Sequence, residues 1–225
     1  VVEQMGRKLL ASPCVPTVVA QQALLAGGWA DEQAEWLPRL AAGEIGTLAL
    51  GEAHGDWDLT NITATATRAD GKIRLSGTKH FVLWADSAAV LLVSAILDGK
   101  PALVLVDKSS IPEGALRREI ITDETKRSFA FKLDGIEVPE NAVLDVSRTS
   151  AALAQIELAT NLLQSAEMCG GSQAVIDYTL DYLRTRKQFG KLIGSFQALQ
   201  HQAANIHIRI EATRSLLFQI AANND

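Results

Sequence analysis

The hydrophobic period of this chain changes twice, near residue 44 and near residue 149, and no single uniform architecture accommodates both changes. Before residue 44, apolar residues recur at helical spacing over 18–25 and 31–40. Gly27-Gly28 breaks the two runs, and Asp31 is the expected N-cap of the second helix. From 44 to 148 the pattern alternates instead. Residues 62–67 alternate, Asp70-Gly71 turns the chain, and residues 72–76 resume the alternation, which predicts a hairpin. Residues 90–95 and 101–106 are short apolar runs on either side of Asp98-Gly99. Residues 129–133 and 136–138 flank Asp134-Gly135 as a further strand-turn-strand. Turn signals at strand-length spacing predict an antiparallel sandwich or barrel.

From residue 149 the helical period returns. One long helix is expected over 149–186, and Gly170-Gly171 inside it predicts the close approach of another backbone. Phe189-Gly190 and Gly194 interrupt the pattern, and a second helix runs from about Ser195 to about Ala222. The chain therefore reads as α+β with three expected domains: a helical domain at 1–43, a middle β-domain at 44–148 and a helical domain at 149–225. Val1 opens inside a helical pattern without an initiator Met, and the last helix has no stop signal except Asn223 and Asn224. Both ends are expected to be cut from something longer.

With 48% of 225 residues apolar, a sizeable core is within reach. The 21 basic and 26 acidic residues give a net charge of −5, which argues against nucleic acid as the main partner. The two cysteines, Cys14 and Cys169, make no disulfide framework and fit a reducing, cytoplasmic setting. No secretory signal is read, and the longest apolar runs, such as 90–97, are too short to span a bilayer.

The most informative segment is Arg186-Lys187-Gln188-Phe189-Gly190-Lys191-Leu192-Ile193-Gly194-Ser195-Phe196-Gln197. On its own it is a helix end, a glycine bend and a new helix, with an Arg beside helix N-terminal N–H groups, which is a good anion site. It resembles the R-x-Q-F-G-x-x-I-x-x-F-Q signature of acyl-CoA dehydrogenases. Residues 50–58, beginning Leu50-Gly51-Glu52, resemble the family loop L-T-E-P-x-A-G-S-D. Residues 75–83, with Gly77, Lys79 and Phe81, resemble L-N-G-x-K-x-W-I-T. The three matches stand in family order along essentially the whole chain.

The resemblance implies a helical domain, a middle β-domain and a C-terminal helical bundle. It implies FAD, held between the β-domain and the C-terminal helices, with Arg186, Gln188, Phe189, Phe196 and Gln197 serving the FAD of a neighbouring subunit. It implies α,β-dehydrogenation of an acyl-CoA substrate, in which a carboxylate takes the α-proton and the flavin takes the β-hydrogen as hydride. A tetramer and an electron-transferring flavoprotein as acceptor are the corresponding partners.

The departures from the family pattern are chemical. Gly51 and Leu83 stand where flavin-contacting Thr residues are usual, so two hydroxyl donors are missing. Phe81 replaces a Trp, and Trp57 replaces a small Ser near the CoA passage, where an indole would fill space. The position at which some members carry the catalytic Glu falls on Thr160, followed by Asn161, with Leu158 at a common CoA contact and Glu157 one turn earlier. No catalytic base is assigned. The pattern resembles the degenerate subunits of actinobacterial heteromeric acyl-CoA dehydrogenases that act on sterol side-chain thioesters. Three readings follow. The chain completes a partner's FAD site, or it is a self-sufficient homotetramer whose base lies beyond residue 225, or it is a flavin-free structural or regulatory subunit.

The remaining candidates have plain expectations. His201 and His207 are six apart on a helix and share no metal-binding face, and with His54 and His80 they complete the histidines, so no metal is expected. Cys14 and Cys169 are expected as small core residues. Glu167 is expected to make an interhelical hydrogen bond, and Asp123, Lys126 and Arg127 to form a solvated loop. Glu52 and Asp58 are expected to hold the shape of their loop.

Overall fold

The computed structural model describes residues 1–223, so Asn224 and the last residue of the block expected over 149–225 lie outside the described residues. The chain divides into two compact units, Ser12–Ala159 and Val1–Ala11 with Thr160–Asp225. Compaction therefore divides the chain differently from the blocks of local periodicity.

The unit Ser12–Ala159 opens with helices α2 (Cys14–Gly27) and α3 (Ala30–Ala41), numbered after α1 (Val2–Arg7) of the other unit. Asp31 is not the N-cap of α3. The helix starts at Ala30 from an extended Trp29, without a side-chain cap, and Asp31 lies in the first turn, where its charge suits the positive helix end. Gln33 Nε2 instead bonds the carbonyls of Leu24 (3.0 Å) and Gly28 (3.0 Å), satisfying the end of α2 and the bend between the helices.

Nine strands follow: β1 (Gly46–Ala49), β2 (Thr65–Ala69), β3 (Lys72–Ser76), β4 (Thr78–Leu83), β5 (Val90–Leu97), β6 (Lys100–Asp107), β7 (Leu116–Glu119), β8 (Ser128–Lys132) and β9 (Glu137–Pro139). Strands β2–β3 and β5–β6 form antiparallel hairpins. Their turns place Asp70 and Gly71 at φ 54° and 72°, and Asp98 and Gly99 at φ 51° and 76°, the two left-handed residues that a type I′ turn requires. Strand β2 begins at Thr65, three residues later than the alternation suggests.

Two expectations are corrected. The sheet is not wholly antiparallel, because β1 and β2 both run parallel to β5, on its first and last residues. Nor does Asp134-Gly135 close a hairpin. β8 joins β4 and β7 in a three-stranded sheet, while β9 crosses to pair with β3 in the six-stranded sheet. The turn redirects the chain from one sheet to the other. Between the sheets lies a core that includes Ile73, Leu91, Val93, Val104, Phe131 and Leu133, all 0% exposed.

The second unit is helical. Helix α4 (Thr149–Thr185) is continuous and carries residues of both units. It is followed by a small antiparallel hairpin, β10 (Lys187–Gln188) and β11 (Lys191–Leu192), a 3₁₀ turn at Ile193–Ser195 and α5 (Gln197–Ala222). The expected glycine contact is present: a Cβ on Gly170 would collide with the Glu3 carbonyl, and one on Gly6 with the Glu167 carbonyl. Helix α1 thus lies backbone to backbone on α4. Arg214 Nε bonds Glu3 Oε1 at 2.8 Å, and Arg7 Nη2 bonds Asp177 Oδ2 at 2.6 Å. Cys169, Ile176 and Ile210 form the small apolar cluster of this unit. Among the described residues no helix is long and apolar enough to cross a membrane.

Candidate functional site

The corner between α4 and α5 carries all five residues singled out by the signature. Phe189 and Gly190 sit at φ 53° and 80°, so the β10–β11 turn is a type I′ turn with a phenylalanine in its first left-handed position. The Phe189 ring is 89% exposed at the tip. It meets Phe196 edge to face, with ring centroids 6.2 Å apart, and Lys191 Nζ lies 4.3 Å from the centre of the Phe196 ring. Arg186 leaves α4 by one residue, and its guanidinium bonds the Tyr182 hydroxyl. The Ile193 N–H returns to the Arg186 carbonyl at 2.9 Å, closing the base of the hairpin. Phe196 is the N-cap residue of α5 and Gln197 its first helical residue. Gln188 and Gln197 are exposed. The corner therefore offers a cation, two amides, an aromatic tip and a helix N-terminus, the donor set that an anionic, aromatic dinucleotide needs.

The sheet unit carries a separate constellation. Lys79, 0% exposed, places Nζ 2.6 Å from Glu52 Oε1 and 3.0 Å from Ser94 Oγ. Glu52 also accepts the Thr63 N–H at 3.0 Å, the Ala64 N–H at 3.1 Å and the Thr63 hydroxyl. Burial works against the Glu52 charge, but these donors, Lys79 first, outweigh it and push its pKa down to about 2. Burial pulls the Lys79 pKa down against the attraction of Glu52. Asp58 accepts the Thr60 N–H at 2.9 Å, so both acidic positions hold the loop as expected. Trp57, expected to fill space, stands 87% exposed.

A pH prediction follows from Glu52. Its folded pKa lies below the unfolded 4.5, so its contribution is complete above about 4.5 and is lost as the pH falls toward about 2. Urea melts between pH 5 and pH 2.5 should show a loss of about 2 kcal/mol that flattens in Glu52→Gln.

Gly51 has a geometric reason beyond a lost hydroxyl. A Cβ there would lie 2.9 Å from the His80 carbonyl oxygen, and the His80 N–H bonds the Gly51 carbonyl at 2.9 Å. At Leu83 the neighbouring hydroxyl is that of Thr47, which is spent on the Leu83 carbonyl at 2.6 Å. Sequence reasoning missed Glu119. Its Oε1 lies 2.8 Å from His80 Nδ1, and its Oε2 accepts the Phe81 N–H at 2.9 Å and the Ser128 hydroxyl at 3.0 Å. Burial opposes its charge, yet these bonds hold its carboxyl below the usual range. Nothing in β7, which reads Leu-Arg-Arg-Glu, signals that its last residue turns inward.

The other candidates fall as follows. Glu157, Leu158 and Asn161 are exposed and Thr160 is half-buried. His201 and His207 are exposed, and among the described residues no group of His, Cys, Asp or Glu is placed to hold a metal. Cys169 is buried and Cys14 half-buried. Glu167 is half-buried, with its carbonyl against Gly6. Asp123 caps Thr125, and Arg127 pairs with Asp86 at 2.5 Å.

Residues 134–225 match the family model described as acyl-CoA dehydrogenase, C-terminal domain. The chain is 27% identical over 210 residues to the mitochondrial isovaleryl-CoA dehydrogenase of Arabidopsis thaliana, covering 90% of this chain and 51% of that protein. It is 30% identical over 207 residues to the acyl-CoA dehydrogenase FadE12 of Mycobacterium tuberculosis, covering 87% and 52%. The chain thus spans about half the length of the curated relatives it matches. Among solved structures, the Tcur3481-Tcur3483 steroid ACAD superposes with a TM-score of 0.82 at 34% identity, covering 98% of this chain and 58% of that one. Taken with the helix–sheet–helix order and the three matched segments, these likenesses place residues 134–225 in the acyl-CoA dehydrogenase C-terminal domain family and make the chain as a whole similar to acyl-CoA dehydrogenases.

Proposed function

We propose that this chain is a subunit of an FAD-dependent acyl-CoA dehydrogenase and that its Arg186–Gln197 corner completes the FAD site of a partner subunit. The observation that carries the reading is the corner itself: Arg186, Gln188, Phe189 and Gln197 are exposed on a preformed hairpin and helix start. Arg186 would hold the pyrophosphate together with the first N–H groups of α5, Gln188 and Gln197 would donate to polar edges, and Phe189 and Phe196 would pack on ring systems. The flavin supplies hydride acceptance when bound. The chain's own residues bind and orient. No carboxylate stands at Thr160, so the base that takes the α-proton is assigned to another part of the assembly. An electron-transferring flavoprotein is the expected acceptor.

The subunit being completed is read as an unlike family member, acting on a sterol-type acyl-CoA. Support comes from the likeness to a steroid ACAD named for two components. It comes also from the sheet unit, where Gly51 is closed against His80 and the Thr47 hydroxyl is already used.

The test is the visible absorption spectrum of the full-length protein, purified alone and together with a second family subunit. The expected result is a colourless protein alone and a flavin band on co-purification. Full flavin occupancy in isolation would sink the completing role and favour a homotetramer, and no flavin in either state would favour a structural subunit. In the flavin-loaded assembly, Arg186→Ala should weaken FAD binding by about 10- to 100-fold, the worth of a charge-assisted bond. Titration of the stripped assembly with FAD reads this directly.

A further inference from the structure

Among the described residues three charged side chains of the sheet unit are buried, and two of them, Lys79 and Glu52, pair with each other. The third does not. Glu32, in the first turn of α3, is 8% exposed, and its Oε2 is buried without a hydrogen-bond partner. A buried oxygen left in that state costs free energy, so it calls for a reason. The charges that act on it most, Asp31 and Glu35, are acidic and make matters worse. Burial first, helped by these charges, pushes the Glu32 carboxyl above the usual range, against the pull of the N–H groups of Glu32 and Trp29 at the helix start.

Glu32 lines a cavity of about 150 Å³ between α3 and the ends of β6 and β9 with the 3₁₀ turns that follow them. Glu35 and Asp107 add two further carboxylates to its lining, and Trp36 adds an indole. Asp107 spends Oδ1 on the Ser109 N–H at 2.8 Å and the Ser109 hydroxyl at 2.6 Å, so its Oδ2 can still accept. Arg39, a basic side chain of the same helix, is committed to Glu44 at 2.9 Å and Glu35 at 3.5 Å, with its guanidinium 3.9 Å from the centre of the Trp36 ring. Three carboxylates repel an anion. Among the described residues no group of His, Cys, Asp or Glu is placed to hold a metal, so a ligand must bring its own N–H donors. The volume admits about five water-sized groups, and Trp36, Leu105 and Val138 offer apolar walls to a stem.

We propose that this cavity binds a primary ammonium group on a short alkyl stem, held by Glu32 with Asp107 and Glu35 around it and Trp36 beside the stem. The site draws on the unit Ser12–Ala159 alone and does not rest on the FAD reading. Two sources supply the same chemistry: a free alkylamine, or a lysine side chain of another chain.

The experiment is calorimetric titration of the full-length protein with butylammonium, butanol and butyrate, which share a length and differ in charge. Butylammonium should bind at least tenfold tighter than the other two, because only it forms charge-assisted bonds to the carboxylates. Glu32→Gln should weaken butylammonium binding at least tenfold while melting no lower than the wild type, since a neutral amide relieves a desolvated charge. A residue kept only for folding would lose stability and leave the probe's affinity alone. Should Glu32→Gln fail to fold, Asp107→Asn, which keeps an oxygen for Ser109, carries the test, with at least a threefold loss expected. Equal affinity for the three probes, or butylammonium affinity unaltered in the folded variant, would overturn the proposal. Repeating the titration on the assembled complex separates the sources. Binding that persists there identifies a free amine as the ligand, and binding that is lost on assembly identifies a partner's lysine.

Discussion

Glu52→Gln should lower the unfolding free energy by about 3–5 kcal/mol, a large share of the roughly 5–15 kcal/mol that holds a domain of this kind. The reason is not the worth of one bond. Lys79 is 0% exposed, its ammonium bonds Glu52 at 2.6 Å and Ser94 at 3.0 Å, and without the carboxylate it is a buried charge with neutral partners only. Lys79→Met should cost less, because Glu52 keeps the Thr63 and Ala64 N–H donors. The double variant Glu52→Gln/Lys79→Met should recover most of the loss, since an apolar stem and a neutral amide replace two desolvated charges. Urea denaturation of the four proteins forms a double-mutant cycle. If the double variant were as unstable as the sum of the singles, the two charges would not act as a pair.

Gly170→Ala and Gly171→Ala should move stability in opposite directions although the residues are adjacent. Alanine ordinarily gains about 0.5–1 kcal/mol over glycine inside a helix. At Gly171 the new Cβ would lie 3.7 Å from the Gly6 carbonyl, an ordinary contact, so the gain should be realised. At Gly170 the Cβ would collide with the Glu3 carbonyl, a backbone atom that cannot step aside without moving α1. Forcing the helices apart should cost about 2–4 kcal/mol and loosen the Glu3–Arg214 and Arg7–Asp177 pairs with them. Thermal melts give the sign, and limited proteolysis near residue 10 reports on α1. Equal effects at the two positions would mean that the α1–α4 contact carries no such constraint.

The same glycines mark how far the sequence can be read. A pair of glycines inside an apolar helix has few physical reasons to persist other than a crossing backbone, and the crossing is there. Asp70-Gly71 and Asp98-Gly99 were equally legible, because a type I′ turn needs two left-handed residues and these pairs supply them. Asp134-Gly135 offered the same dipeptide and a different outcome, since a turn fixes the local reversal and not the sheet that the next strand joins. The parallel neighbours of β5 were hidden for the same reason: their partners are set by packing between distant segments. In the candidate site, the corner residues could be found because they are contiguous. His80 and Glu119 could not, being 39 positions apart with nothing periodic between them. Lys79 reads as one more alternating polar residue until its burial is known.

The docking of α1 also bears on how the chain reaches this structure. Glu3 meets Arg214 across 211 positions of sequence, and Arg7 meets Asp177 across 170. On a ribosome α1 emerges before Asp177 and Arg214 are made, while the segment Ser12–Ala159 is contiguous and can condense as soon as it is complete. Loop closure of that length is slow relative to local pairing, so residues 1–11 stay undocked while the intervening segment folds. Their docking is then a late event in biogenesis, because it waits for Asp177 and Arg214 to be made.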